Sequence, residues 1–305
     1  MEDLTCLGNL RHLKFLNLIG CGKLKYIFEK SALAGGSDPN GLFPRLRKLV
    51  MNYLRELQGW TNIGEGVGDN NHINSSFSMA PIPLPQLTFL WIEDCPNLIS
   101  ILLCPNLVEL YINWFNKRLQ IIKKLGNEKA DASGSTTGSS NVISKLRLMQ
   151  DDVLWLNSFP REVIQSLDEL RMSSELESLK EAGDVFSSCS SSLRSLRIEK
   201  CRKLRSVISG GLEHLTALQD LTISECPNVN LLGEEEGMNT IGMPWPSFSH
   251  SLRNLTTTND WMPKLTSLRI LRFFCCSKRL KERCQQPTGE DWPHIQHIPS
   301  IQFHE

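Results

Sequence analysis

The sequence lacks most of what marks a charged, membrane-borne or nucleotide-driven protein. Its 33 basic and 33 acidic residues cancel, so no bulk field draws it to nucleic acid or to an anionic membrane. No apolar run approaches the roughly 18 residues of a membrane helix, and Met1 to Leu13 lacks the apolar core of a secretory leader. These absences predict a cytoplasmic protein with no membrane span. The phosphate-cradling G-x-x-x-x-G-K-[ST] is missing too, because the pair Gly22-Lys23 lacks the upstream glycine of that motif, Asn17 standing in its place. No nucleotide or other cofactor is expected.

What is present is one phrase, Leu-x-x-Leu-x-Leu-x-x-Cys-x-x-Leu, repeated in register. It runs through Leu13, Leu16, Leu18, Cys21, Leu24; through Leu87, Leu90, Ile92, Cys95, Leu98; through Leu193, Leu196, Ile198, Cys201, Leu204; and through Leu218, Leu221, Ile223, Cys226, Val229. Weaker copies begin at Leu46, Leu107, Ile143, Leu167, Leu252 and Leu268, the third placing Asp151 at the cysteine position. A unit of about 20–29 residues with this pattern is a leucine-rich repeat, which carries one short strand and buries its apolar edge only by stacking on its neighbours. The expected fold is an α/β repeat solenoid. Short parallel strands line the concave face of a horseshoe, with irregular loops or short helices on the convex face. About ten uneven units make residues 1–305 a single domain.

The ten cysteines imitate a disulfide framework, but their spacing is that of the repeat. Cys21, Cys95, Cys201, Cys226 and Cys276 share one turn position, where a compact reduced side chain is expected to pack beneath the next coil. Cys6, Cys104, Cys189, Cys275 and Cys284 receive no role. Cys275, Cys276, Cys284, His294 and His297 gather near the C-terminus without a compact zinc spacing, so no metal is expected. Spacing alone nominates no catalytic set. The acidic run Glu234-Glu235-Glu236 reads as a solvated loop. The sequons at Asn74 and Asn254 do not establish secretion.

Three stretches, 31–41, 59–85 and 126–141, are rich in Gly, Ser, Asn and Pro and read as loop insertions. Residues 280–303 read as a C-terminal cap. Trp292, Ile295, Ile298 and Ile301 supply its apolar cover, while Pro293 and Pro299 oppose a regular helix or a further strand.

The register also predicts what points away from the core. Side chains alternate along a strand, so the exposed row reads Asn17, Val50, Trp91, Tyr111, Arg147, Arg171, Arg197, Thr222, Thr256, Arg272. Trp91 and Tyr111 should stand side by side with Phe89 one step away, followed by the arginine file of Arg147, Arg171 and Arg197. Aromatic residues and arginine dominate binding hot spots, which makes these six the candidate partner-binding residues. The arginines equally suit a plain solvated face, locally neutralised by Asp168, Glu169 and Glu199.

The turns Glu-Asp-Cys-Pro-Asn-Leu at 93–98 and Ser-Glu-Cys-Pro-Asn-Val at 224–229 resemble those of plant intracellular nucleotide-binding leucine-rich-repeat disease-resistance receptors. The tail resembles the segment that closes the array in the coiled-coil-bearing branch of that family: Leu280-Lys-Glu-Arg-Cys284, Thr288-Gly-Glu-Asp-Trp-Pro293, then His297-Ile-Pro299. The asparagine-centred turn followed by Gly-x-Ile-Pro, typical of plant extracellular repeat receptors, is absent. The resemblance implies a non-enzymatic domain that recognises a pathogen effector or guarded host protein and contacts a nucleotide-binding switch domain. That switch domain does not lie in these residues, and the sequence reads as a truncated family member or a fragment of a longer receptor. Two other functions fit less well: a substrate-recognition subunit of a ubiquitin ligase, and a thiol-dependent enzyme using Cys284 with His294 or His297.

Overall fold

The computed structural model describes residues 4, 7, 10–28, 43–61, 84–115, 119–122, 143–149, 153–173, 177–205, 207, 212–229, 231 and 264–304. The stretches 31–41 and 126–141, the acidic run at 234–236, both sequons and Cys6 lie outside these residues. The chain divides into two compact units. Met1–Gln150 with Asn157–Leu170 forms the first, and Asp151–Leu156 with Arg171–Glu305 the second. The repeat pattern alone, read as one domain, does not mark this division.

In the first unit the phrase becomes strand after strand. β1 (Phe15–Ile19), β2 (Tyr26–Phe28), β3 (Lys48–Asn52), β4 (Gly59–Thr61), β5 (Phe89–Cys95), β6 (Ser100–Leu102), β7 (Glu109–Phe115), β8 (Gln120–Ile122) and β9 (Lys145–Met149) follow in chain order. The main sheet is β1-β3-β5-β7-β9, and every pairing within it is parallel. Two parallel pairs, β2 with β4 and β6 with β8, form separate small sheets. Gly59–Thr61 is thus a strand, although its composition predicts a loop. Trp60 is buried and its indole N–H donates to Ser100 O at 3.1 Å, tying β4 to the following pair. The short helix α1 (Arg161–Gln165) starts after Pro160 and buries Val163 and Ile164. A proline just before the first turn costs no helical hydrogen bond.

β10 (Glu169–Ser173) lies where the units divide. In the second unit, α2 (Gly183–Ser188) buries Val185 and Phe186. The sheet β11 (Ser195–Glu199), β12 (Asp220–Ser224), β13 (Ile270–Phe274) is again parallel. β12 pairs directly with β13, Leu221 opposite Leu271, and the expected repeat at Leu252 and Leu255 lies outside the described residues. Thr256 of the expected exposed row likewise lies outside the described residues. After α3 (Lys278–Arg283) and α4 (Trp292–Ile295), the tail adds a further strand, β14 (Ser300–His304), parallel to β13. Pro299 precedes that strand and does not prevent it, since a proline outside the ladder removes no bond. Both units are leucine-rich-repeat solenoids.

The repeat leucines are the core. Leu49, Met51, Leu54, Leu90, Leu110, Leu196, Leu221 and Leu271 are each at most 1% exposed. Six of the strands then end in the same way. Gly20, Tyr53, Asp94, Lys200, Glu225 and Cys275, each immediately before the cysteine position, have φ between 47° and 62°. The N–H groups of Gly20, Tyr53, Lys200, Glu225 and Cys275 donate to a carbonyl near the end of the next strand at 2.8–3.0 Å. Five of the six carry a side chain in the left-handed region, at a cost of about 1–2 kcal/mol each that the packed coils must outweigh.

The cysteine position explains itself one residue later. Cys95, Cys226 and Cys276 donate S–H both to the carbonyl two residues back and to one on the preceding strand: Met51 O at 3.7 Å, Ile198 O at 3.9 Å and Ile223 O at 3.6 Å. Cys95, Cys201 and Cys226 are buried as expected, whereas Cys276 is half-buried and Cys21 is exposed. Cys21 follows β1, the strand that begins the sheet order, and its thiol reaches the local carbonyl of Ile19. Asparagine stitches the same turns. Asn97, Asn106 and Asn228 donate from Nδ2 to the carbonyls of Arg55, Pro85 and Arg202 on the preceding turn at 2.6–2.7 Å.

The tail is held by an internal clip. Arg283 donates from Nε and Nη2 to Asp291, whose side chain is wholly buried, with the Nη2 contact at 2.7 Å. Gly289 sits so close to the Arg283 carbonyl that an added Cβ would lie 2.2 Å from its oxygen. Ile295 and Ile298 are buried, while Trp292 and Ile301 are half-buried.

Candidate recognition face

On the open side of the first unit's sheet, register places residues in rows. One row reads Phe15, Lys48, Phe89, Glu109, Lys145; the next reads Asn17, Val50, Trp91, Tyr111, Arg147. Parallel strands lie about 4.8 Å apart, and flat rings at that spacing stack. Trp91 and Tyr111 stack with centroids 5.7 Å apart and planes 28° from parallel. Phe89 lies 5.2 Å from Tyr111 and 6.5 Å from Trp91. All three are half-buried.

Cations border this cluster. Lys48 Nζ sits 5.5 Å above the Phe89 ring and Arg147 Cζ 5.9 Å above that of Tyr111. The ring faces carry partial negative charge, so both contacts are attractive. The Tyr111 hydroxyl donates to Glu109 at 3.4 Å, and Glu109 faces Lys145 at 3.9 Å. Burial, reinforced by the Glu109 carboxylate, holds the Tyr111 phenol above its ordinary pKa. Phe15 and Ile19 extend the apolar surface onto β1, where they are 51% and 58% exposed. The hot-spot reading of the sequence passed over Phe15, Ile19 and Lys48. They stand two residues before or after positions it used, so the alternation was sufficient to find them.

The same row in the second unit is Arg197, Thr222, Arg272, Gln302. Here two of the three outward arginines, Arg171 of the expected file and Arg272, are engaged internally. Arg171 pairs with Glu199, and Arg272 pairs with Asp220 and donates to Gln302. Thr222, expected to face solvent, is 2% exposed, because the long side chains beside it cover so short a residue and its hydroxyl donates to Asp220. Among the described residues Arg197 makes no ion pair, and its buried Nε has no hydrogen-bond partner.

The thiols offer little chemistry. Burial pushes Cys104, Cys189 and Cys284 up to about 12, and Cys95 and Cys276 up to about 11. Cys226 is raised as well, first by its hydrogen bond with Cys201 and then by burial. Among the described residues no three His, Cys, Asp or Glu side chains converge as metal ligands, and no helix is long and apolar enough to cross a membrane.

No protein-family profile and no curated protein matches the chain. Among solved structures it is similar to the protein of a TLR13–ssRNA13 complex, at 15% identity and a TM-score of 0.48, over 97% of this chain and 36% of that one. It is similar to an internalin from Listeria monocytogenes at 15% identity and 0.27, over 97% and 83%. Its similarity to a chain of the mouse RP105/MD-1 complex is 15% and 0.23, over 90% and 56%. The chain thus spans about a third of the length of the first.

Proposed function

We propose that this chain is a protein-recognition domain of a plant disease-resistance receptor, and that Phe89, Trp91 and Tyr111 anchor the recognised protein. The stacked aromatic cluster on the open sheet face carries the reading. It presents rigid rings at low conformational cost with cations at the border, the composition found at binding hot spots. The Cys-Pro-Asn turns and the tail motif support the plant-receptor assignment, the Asn side chains and the Arg283–Asp291 clip being what those motifs build here. The recognised protein is a pathogen effector or a guarded host protein, met in the cytoplasm. A nucleotide-binding switch domain is a second partner. Arg197, without an ion pair among the described residues, is better placed than Arg171 to meet a partner carboxylate.

A thiol-dependent enzyme is disfavoured by the raised pKa of Cys284, since a nucleophilic cysteine needs a stabilised thiolate. A ubiquitin-ligase substrate receptor would share the recognition face and differ in its attached module.

A photo-crosslinking residue at position 91, compared with one at position 99 in infected and uninfected plant tissue, tests the reading. A discrete adduct from 91 that disappears with Tyr111→Ala is expected. Adducts from 99 alone would place recognition elsewhere. An in-frame phosphate-binding loop in the transcript upstream of Met1 is expected of the receptor; a ubiquitin-ligase recruiting segment there would favour the alternative.

A further inference from the structure

Among the described residues, β14 has a neighbouring strand on one side only, β13. Ser300 N–H donates to Arg269 O at 3.1 Å and Cys275 N–H donates to His304 O at 3.0 Å. In a parallel ladder alternate residues bond opposite neighbours. The even-numbered residues of β14 therefore face β13, and the N–H and C=O groups of Ile301 and Phe303 point away from it. The side chains of these same two residues continue the core rows of Leu271 and Phe273. Leu271 and Phe273 are at most 1% exposed, yet Ile301 and Phe303 are half-exposed.

Beside them opens a cleft of ≈ 930 Å³. Phe273, Trp292, Ile298, Ile301 and Phe303 make its apolar lining. Its charged lining contains two lysines, Lys278 and Lys281, against one glutamate, Glu282, with His304 as a further titratable group. Lys278 lies 3.9 Å from Glu282, and among the described residues Lys281 has no carboxylate partner. The cleft thus combines backbone groups that point away from β13, half-exposed side chains of the core rows and surplus positive charge.

We propose that this edge and cleft bind an extended peptide segment as an additional strand. Its apolar side chains, at alternate positions, pack on Ile301 and Phe303 and enter the cleft, while an acidic residue reaches Lys281. Strand addition draws affinity from main-chain hydrogen bonds and selectivity from pockets for alternate side chains. The positive lining selects an acidic segment over a basic one. The site is separate from the aromatic cluster of the first unit and does not depend on the function proposed for it.

Selection of random seven-residue peptides displayed on phage against the full chain, with affinities then measured by fluorescence anisotropy, tests this. Alternating apolar peptides carrying a carboxylate should be enriched. Ile301→Val, which keeps the N–H, should bind them as the unmodified chain does. Ile301→Pro, which removes an outward donor and no β13–β14 bond, should weaken them at least tenfold. Lys281→Glu should shift enrichment toward basic peptides, and this arm stands whether or not Ile301→Pro folds. No enrichment, or equal binding by a folded Ile301→Pro and an unshifted Lys281→Glu, would overturn the proposal. Concentration-dependent self-association in sedimentation, abolished by Ile301→Pro, would also overturn it and make the occupant a second copy.

Discussion

In the first unit the row Val50, Trp91, Tyr111 leaves aromatic carbon partly in water. In the second, the equivalent row Arg197, Thr222, Arg272, Gln302 ties much of itself down, through Arg272 with Asp220 and through Thr222. Both rows come from the same alternation on the same kind of strand, so the backbone does not decide which face is available to a partner. Side-chain length and charge do. An arginine beside a carboxylate one strand away spends its donors locally, whereas an indole beside a phenol satisfies its neighbour by stacking and keeps an edge exposed. The lesson for this fold is that an outward position is a necessary condition for recognition and not a sufficient one.

The comparison breaks first if core and face have been confused. Leu90, beneath the aromatic cluster, is fully buried, and Leu90→Ala should cost about 2–5 kcal/mol in chemical denaturation through lost transfer energy and a cavity. A cost under about 1 kcal/mol would mean that β5 is not packed as described. In the second unit, Arg171→Ala should cost about 1–3 kcal/mol, because Glu199 is 7% exposed and would lose its charged partner. The same measurement on Arg197→Ala should show a smaller loss. Equal losses would undo the distinction between engaged and available arginines.

Replacing Trp91 and Tyr111 together should remove partner binding at a stability cost of only about 0.5–1.5 kcal/mol, the worth of one stacked pair. A loss comparable to that of Leu90→Ala would make the cluster structural, and the two faces would then differ in composition alone.

Much of this was legible in the sequence, for a physical reason. Inward leucines repeat with period two inside a repeat of fixed phase, so Trp91 opposite Tyr111 follows from spacing, as does the burial of Cys95, Cys201 and Cys226. What spacing hid was contact between coils. Nothing in the order of residues shows that Cys21 follows an end strand, that Thr222 is covered by its neighbours, or that Leu221 pairs directly with Leu271. The left-handed residue before each turn was hidden for another reason: Tyr53, Asp94, Lys200 and Glu225 share no composition that marks such a conformation. Pro299 misled by pointing to a stop where the chain places it just before a strand.

The cores, unlike the faces, are alike, and alkylation of the native protein reads them directly. Cys95 in the first unit and Cys201 and Cys226 in the second should be labelled last, with exposed Cys21 and Cys275 first. Raising the pH should speed labelling of Cys95 only well into the alkaline range, since burial puts its thiol at about 11. Early labelling of any of the three buried thiols would show that its coil is open.

The finest test asks how dry the aromatic cluster is. The chain holds three tyrosines, Tyr26, Tyr53 and Tyr111, so a Tyr111→Phe difference spectrum isolates one phenol in an ultraviolet pH titration. Burial is the larger cause of its raised pKa and Glu109 adds to it, while Lys145 opposes both. The signs follow from which form each neighbour favours: removing Trp91 readmits water to the phenolate and lowers the midpoint, Glu109→Gln lowers it by removing a negative charge, and Lys145→Ala raises it by removing a positive one. Agreement in all three directions would mean a face already partly desolvated before any partner arrives, and so one that loses little hydration on binding. If Trp91→Ala leaves the midpoint where it was, the ring shields nothing, the cluster is wet, and the contrast with the ion-paired face of the second unit reduces to charge.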